Sequence, residues 1–199
     1  MTRRSSLLPG VACLLVGCAT PPSPQLTYDR YDSRSTTYVN DTAGFAMVFE
    51  PGWRVFTDVD NPARLFNLLP VPTGSEVSVK AVTDGVGLWV ETTRVPSSMP
   101  LTRLQPAILN AYREYFRQLR YQQLSLEPRT GHGIEYVEWI YRLSSPDRDD
   151  TMVEALFIHW GYAVRVRAKS SSENFGAVRE RVTRLMESLT SLDFRGAGR

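Results

Sequence analysis

Reactive side chains are scarce in this sequence. Its 199 residues hold 2 cysteines and 2 histidines. Both cysteines, Cys13 and Cys18, lie near the N-terminus, so the rest of the chain offers neither a thiol nucleophile nor a disulfide. Chelation by histidine needs further ligands, and no His/Cys cluster occurs at metal-ligand spacing. There is no Gly-x-Ser-x-Gly elbow and no Walker sequence. Asp84-Gly85-Val86-Gly87-Leu88 lacks the third glycine and the following helix of a dinucleotide loop. Asp147-Arg148-Asp149-Asp150 starts like a calcium loop, then has Met152 where glycine is needed and Ile158 where glutamate is needed. Asp58-Val59-Asp60 fails in the same way at Pro62. No metal and no cofactor is implied. Excess charge is also small: the formal net charge is +2. Arg3 and Arg4 supply that excess, so residues 18–199 are formally neutral and carry no basic footprint for nucleic acid.

Long apolar runs are missing too. The run from Leu7 to Val16 falls far short of the about 20 residues a membrane-spanning helix requires. It follows a short positive segment, Met1-Thr2-Arg3-Arg4, and precedes small residues, which is the three-part layout of a signal peptide. Leu15-Val16-Gly17-Cys18 resembles the bacterial lipobox. The resemblance implies cleavage before Cys18 and a diacylglyceryl group on its sulfur. Each buried methylene contributes about 0.8 kcal/mol, so two or more acyl chains anchor stably where one does not. Ala19, rather than Asp, follows the cysteine, and in proteobacterial lipoproteins this resembles the default for export to the outer membrane. The expectation is a protein on the periplasmic face, held to the membrane through lipid on Cys18.

Residues 1–17 thus read as the lipoprotein signal peptide. Residues 18–35, opening with Pro21-Pro22-Ser23-Pro24, read as a Pro-rich tether. Residues 36–194 read as a single α/β sandwich domain, and 195–199 as a loose tail. Within the domain, alternation and turn residues predict strands at 37–39, 45–49, 53–56, 77–82, 88–92, 134–143, 153–160 and 162–168. Leu104, Ile108, Tyr112, Tyr115, Phe116 and Leu119 keep to one face of a 3.6-residue period, predicting a helix with a Thr102/Gln105 capping box. Phe175, Val178, Val182, Leu185, Met186 and Leu189 predict a second, with Ser170/Glu173 as cap and Glu180/Arg184 paired outside. Short hairpin connections make the sheet mainly antiparallel, with the helices flanking it, an α+β architecture.

Phe45-Ala46-Met47-Val48-Phe49-Glu50-Pro51-Gly52-Trp53 resembles the opening signature of the PsbP-like α/β/α sandwich family, in which a strand ends in a Pro-Gly-Trp turn. The order of elements behind it is similar across about 150 residues. The resemblance implies a non-enzymatic accessory protein that docks on a larger assembly. It carries over no binding residue.

Four residues stand out as a candidate binding patch. Trp139 and Tyr141 share one face of their strand, and Arg165 and Arg167 share one face of theirs. Exposed aromatics with arginine are typical of protein-binding surfaces. The competing arrangement puts the aromatics under a helix and the arginines in water. His132, between two glycines in a turn, and His159, beside Trp160, are the candidate bases if the chain were an enzyme. Neither has a recognisable catalytic context, so no catalytic residue is assigned. The expected role is a non-catalytic one toward a protein or envelope partner. The alternative is an envelope hydrolase using carboxylates that spacing does not reveal.

Overall fold

The computed structural model describes residues 29–57, 75–83 and 86–192. The signal peptide, Cys18, most of the tether, Asp58–Asp60 and the C-terminal tail lie outside them. The elements run β1 (Asp29–Asp32), β2 (Thr37–Asn40), β3 (Phe45–Val48), β4 (Arg54–Phe56), β5 (Ser75–Thr83) and β6 (Val86–Arg94). Then come α1 (Leu104–Ala111), α2 (Arg113–Gln118), β7 (Arg120–Gly131), β8 (Ile134–Ser145), β9 (Arg148–His159), β10 (Tyr162–Ser171), α3 (Phe175–Glu187) and β11 (Thr190–Ser191). A seven-stranded sheet has the order β4-β5-β6-β10-β9-β8-β7, and a four-stranded one the order β1-β2-β3-β11. Every pairing in them is antiparallel.

The period-2 alternation sorts the large sheet into two faces. Leu88, Val90, Val153, Ala155, Val164 and Val166 point one way, and the four-stranded sheet and α3 cover them. Trp89, Trp139, Tyr141, Met152 and Leu156 point the other way, under α1 and α2. Each large apolar side chain fully buried in this manner contributes about 1.5–3 kcal/mol relative to exposure. The helices therefore lie on opposite faces of the sheet, as the family resemblance implied.

Two of the hairpins of the large sheet close with two-residue loops. His132-Gly133 joins β7 to β8 and Trp160-Gly161 joins β9 to β10, with φ of 44°, 83°, 48° and 78° in turn. Both central residues have positive φ, the type I′ geometry that matches strand twist. Glycine takes the second position without strain, and the first holds a histidine in one turn and a tryptophan in the other.

The structure departs from expectation at four places. β1 pairs with β2 from Asp29 onward, so the tether ends well before Ser35. β7, twelve residues at the sheet edge, stands where no strand was read. The long first helix divides at Tyr112, whose φ −104° and ψ 18° separate α1 from α2. Neither expected cap forms. Gln105 is buried and bonds Gln123 at 3.3 Å, and the Ser170 hydroxyl donates to the Ser171 carbonyl at 2.8 Å. The outer Glu180–Arg184 pair does form, and Arg184 also holds Glu50. Among the described residues, no helix is long and apolar enough to cross a membrane.

Candidate functional site

Register brings four distant charges together at the middle of the large sheet. Arg165 on β10 stands opposite Glu91 on β6. Arg167, two residues on and so on the same face, stands opposite Glu154 on β9. Glu154 in turn stands opposite Trp139 on β8. The Arg165 guanidinium forks onto Glu154, with Nε to Oε2 at 3.0 Å and Nη2 to both oxygens at 2.9 Å, while its Nη1 reaches Glu91 at 3.2 Å. Arg167 bonds Glu154 through Nε at 3.1 Å and Glu91 through Nη1. The Tyr141 hydroxyl donates to Glu154 at 2.6 Å, and the Trp89 indole to Glu91 at 2.9 Å. The Arg167 guanidinium also lies 4.7 Å from the centre of the Trp89 ring.

This geometry corrects the reading of Trp139, Tyr141, Arg165 and Arg167 as an exposed patch. The four do share a face, but their exposures are 0%, 0%, 5% and 0%. The aromatics lie under the helices, where Phe116 of α2 packs edge-on against Tyr141 and Trp139. The arginines are covered by carboxylates rather than water. Glu91 and Glu154 supply the missing half of the cluster. Their sequence signal was a glutamate on the same strand face as large apolar neighbours, Trp89 in one case and Met152 and Leu156 in the other. A buried carboxylate requires a cationic partner.

Two unit charges of each sign cancel, so the cluster is neutral as a whole. Burial alone would push the Glu91 carboxyl up. The Arg167 charge first and Arg165 second outweigh it, with hydrogen bonds from Arg167 and Trp89, and hold it below the usual glutamate range. Burial, then the nearby Glu154 charge, pushes the Tyr141 hydroxyl well above its ordinary value, so it stays a donor. Burial also raises Tyr112 to about 12, against the opposing pull of the Arg165 guanidinium, which lies 5.4 Å from the centre of its ring.

One concave feature borders this core and a second lies apart from it. A cavity of about 160 Å³ lies between α1 and the sheet, with Glu91 and Arg165 in its wall and Val95, Met99, Ile108 and Ala163 among its apolar lining. The second is a groove of about 460 Å³ at one end of the sheet, which brings together the two histidines that the sequence separates. His132 and Glu135 enter it from the β7–β8 hairpin, His159 from the end of β9 and Ser191 from β11. The His159 Nε2 and the Ser191 hydroxyl are 3.1 Å apart. Burial lowers the His159 pKa and a bond with the Gly44 backbone partly restores it, so the ring is neutral near pH 7. Glu135 and Glu138 face opposite sides of β8. Glu138 is taken up by Arg129 and Arg179, at 3.2 and 2.7 Å. No group of three or more His, Cys, Asp or Glu among the described residues is arranged to hold a metal ion.

No family model matches the chain, and no curated protein matches it in sequence. Solved structures are similar in shape. The solution structure of cyanobacterial PsbP (CyanoP) from Synechocystis sp. PCC 6803 superposes with a TM-score of 0.59 at 16% identity, over 78% of this chain and 91% of the other. A variant of the protein Mog1 gives 0.50 at 12% identity, over 76% and 92%. The Ran-binding protein Mog1p of Saccharomyces cerevisiae gives 0.49 at 13%, over 75% and 91%. At these identities the likeness is one of fold, and the fold is the PsbP-like α+β sandwich.

Proposed function

We propose that this chain is a cell-envelope lipoprotein, anchored through lipid on Cys18, whose sandwich domain serves a binding or accessory role rather than a catalytic one. The observation that carries the reading is Leu15-Val16-Gly17-Cys18 behind a short apolar run. The state of the charged groups supports the second half. Glu91, Glu154, Arg165 and Arg167 are committed to one another inside the sheet face, where a catalytic acid or base would need to meet substrate. With Ala19 after the cysteine, the place proposed is the periplasmic face of the outer membrane, and the partner a protein or another envelope component. Cys18→Ser tests the anchor. Labelled fatty acid enters the wild-type chain, and the variant takes up none and keeps its signal segment. Incorporation into Cys18→Ser at the wild-type level would overturn the assignment.

A further inference from the structure

The cavity beneath α1 does not end at the helix. Met99 and Ala107 line it from within and also line a second, outer groove of about 540 Å³. The outer groove runs past Pro96, Pro100, Arg103 and Asn110. The two spaces thus share a wall at the start of α1, the inner one almost wholly apolar, the outer one wider and lined by three prolines as well as by Ser98, Arg103 and Asn110.

From this juxtaposition we propose that the α1 cavity and its outer groove bind a single-chain anionic amphiphile, its aliphatic tail in the cavity and its head beside Arg103. Size sets the tail. A cavity of 160 Å³ compares with an engineered apolar cavity of about 150 Å³ that takes one benzene, so roughly six carbons fit inside. Charge sets the orientation. The only charged residues lining the inner cavity are Glu91 and Arg165, which already pair with each other. An anion placed there would leave the neutral cluster with an uncompensated negative charge, so the inner segment must be uncharged.

The outer groove is also largely apolar, but it carries an arginine. Arg103 has no carboxylate partner among the described residues, and it precedes the first turn of α1. That turn contains no acidic residue, and no side chain caps it. An anionic head there meets an unpaired guanidinium. The cavity and the groove are lined by residues of the folded domain alone, so the site does not depend on the anchor proposed at Cys18.

Octanoate is the probe, with octanol as its uncharged control, both titrated below micellar concentration into the full chain. The methyl resonance of Ile108 reports occupancy of the inner space, and that of Met99 the junction of the two. Octanoate shifts both, and binds more tightly than octanol. Arg103→Gln weakens octanoate by about threefold, the scale of an exposed ion pair, and leaves octanol unchanged. Ala107→Trp, an exposed position at the junction, abolishes binding of both while the circular dichroism spectrum stays that of the wild type. Three results would overturn the proposal: no shift at Ile108, equal affinity for the two probes, or octanoate binding that Ala107→Trp leaves intact. Loss of the anchor in Cys18→Ser does not alter the titration, which keeps this test separate from that of the proposed function.

Discussion

At the scale of single residues, the Glu91–Arg165–Glu154–Arg167 cluster makes the sharpest claims. A buried ion pair contributes little over a well-packed apolar substitute, but breaking one by removing a partner typically costs about 3–5 kcal/mol. Arg167→Met leaves two buried carboxylates sharing one guanidinium, and should lose stability on that scale in urea unfolding. Adding Glu91→Gln restores the charge balance, because Arg165 and Glu154 remain as a forked neutral pair. The double variant should therefore lose less than the sum of the two single losses, by at least about 1 kcal/mol. Strict additivity would mean that the cluster does not act as a unit.

The cluster also sets a pH dependence. Folding holds the Glu91 pKa below its unfolded value, so the ionised form is the one the fold favours. Its contribution is complete above the ordinary glutamate pKa, about 4.3. It is lost as pH falls through that value toward the folded one. Asp32, lowered by bonds from the Arg34 backbone and the Ser35 side chain, has the same sign at the surface. The urea midpoint should fall on going from about pH 5 to pH 3, and Glu91→Gln should flatten that decline. An equally steep decline in the variant would assign it to other carboxylates.

At the scale of elements, legibility followed the hydrophobic pattern. β6, β8, β9 and β10 carry alternating or continuous apolar residues because both faces of the sheet are covered, and each was readable from sequence. β7 was not. It is an edge strand whose residues are mostly exposed, with Pro128 inside it and a register shift between Gln123 and Ser125. Edge strands tolerate such features because one side of the ladder is open. β1, four residues of mixed polarity, and β11, two residues, carry no periodicity to read. The candidate site was half legible. The strand faces of Trp139, Tyr141, Arg165 and Arg167 could be deduced, but not what covers them, since the covering groups lie up to 76 residues away.

β1 supports a prediction of its own. Tyr31 packs edge-on against Phe49, ring centres 6.2 Å apart, and Arg30 pairs with Asp41 at 3.1 Å. A chain beginning at Thr36 removes these contacts and exposes β2 as an edge. It should unfold at lower urea than a chain beginning at Leu26, by about 1–3 kcal/mol for the partly buried aromatic contact and the lost strand. Equal midpoints would return residues 29–35 to the tether.

At the scale of the whole molecule, the question is which feature the cell depends on, the histidine groove or the anchor proposed at Cys18. The groove is the place where hydrolytic chemistry would be sought, since His159 is neutral near pH 7 and bonds the Ser191 hydroxyl. A serine nucleophile needs more than a base. It needs a third group to orient that base and donors aimed at the developing oxyanion. Around His159 the orienting contact comes from the Gly44 backbone rather than from a carboxylate. For a binding module, by contrast, attachment to the membrane raises the effective concentration of the domain at its partner without adding a contact. A folded His132→Ala, His159→Ala double variant should therefore complement a deletion strain as the wild type does. The same domain exported without Cys18, through an ordinary secretory signal, should complement poorly at equal abundance. Both abundances are checked by immunoblot, and folding by circular dichroism. A folded but inactive histidine variant, together with a fully active soluble domain, would move the function into the groove and make the chain a hydrolase.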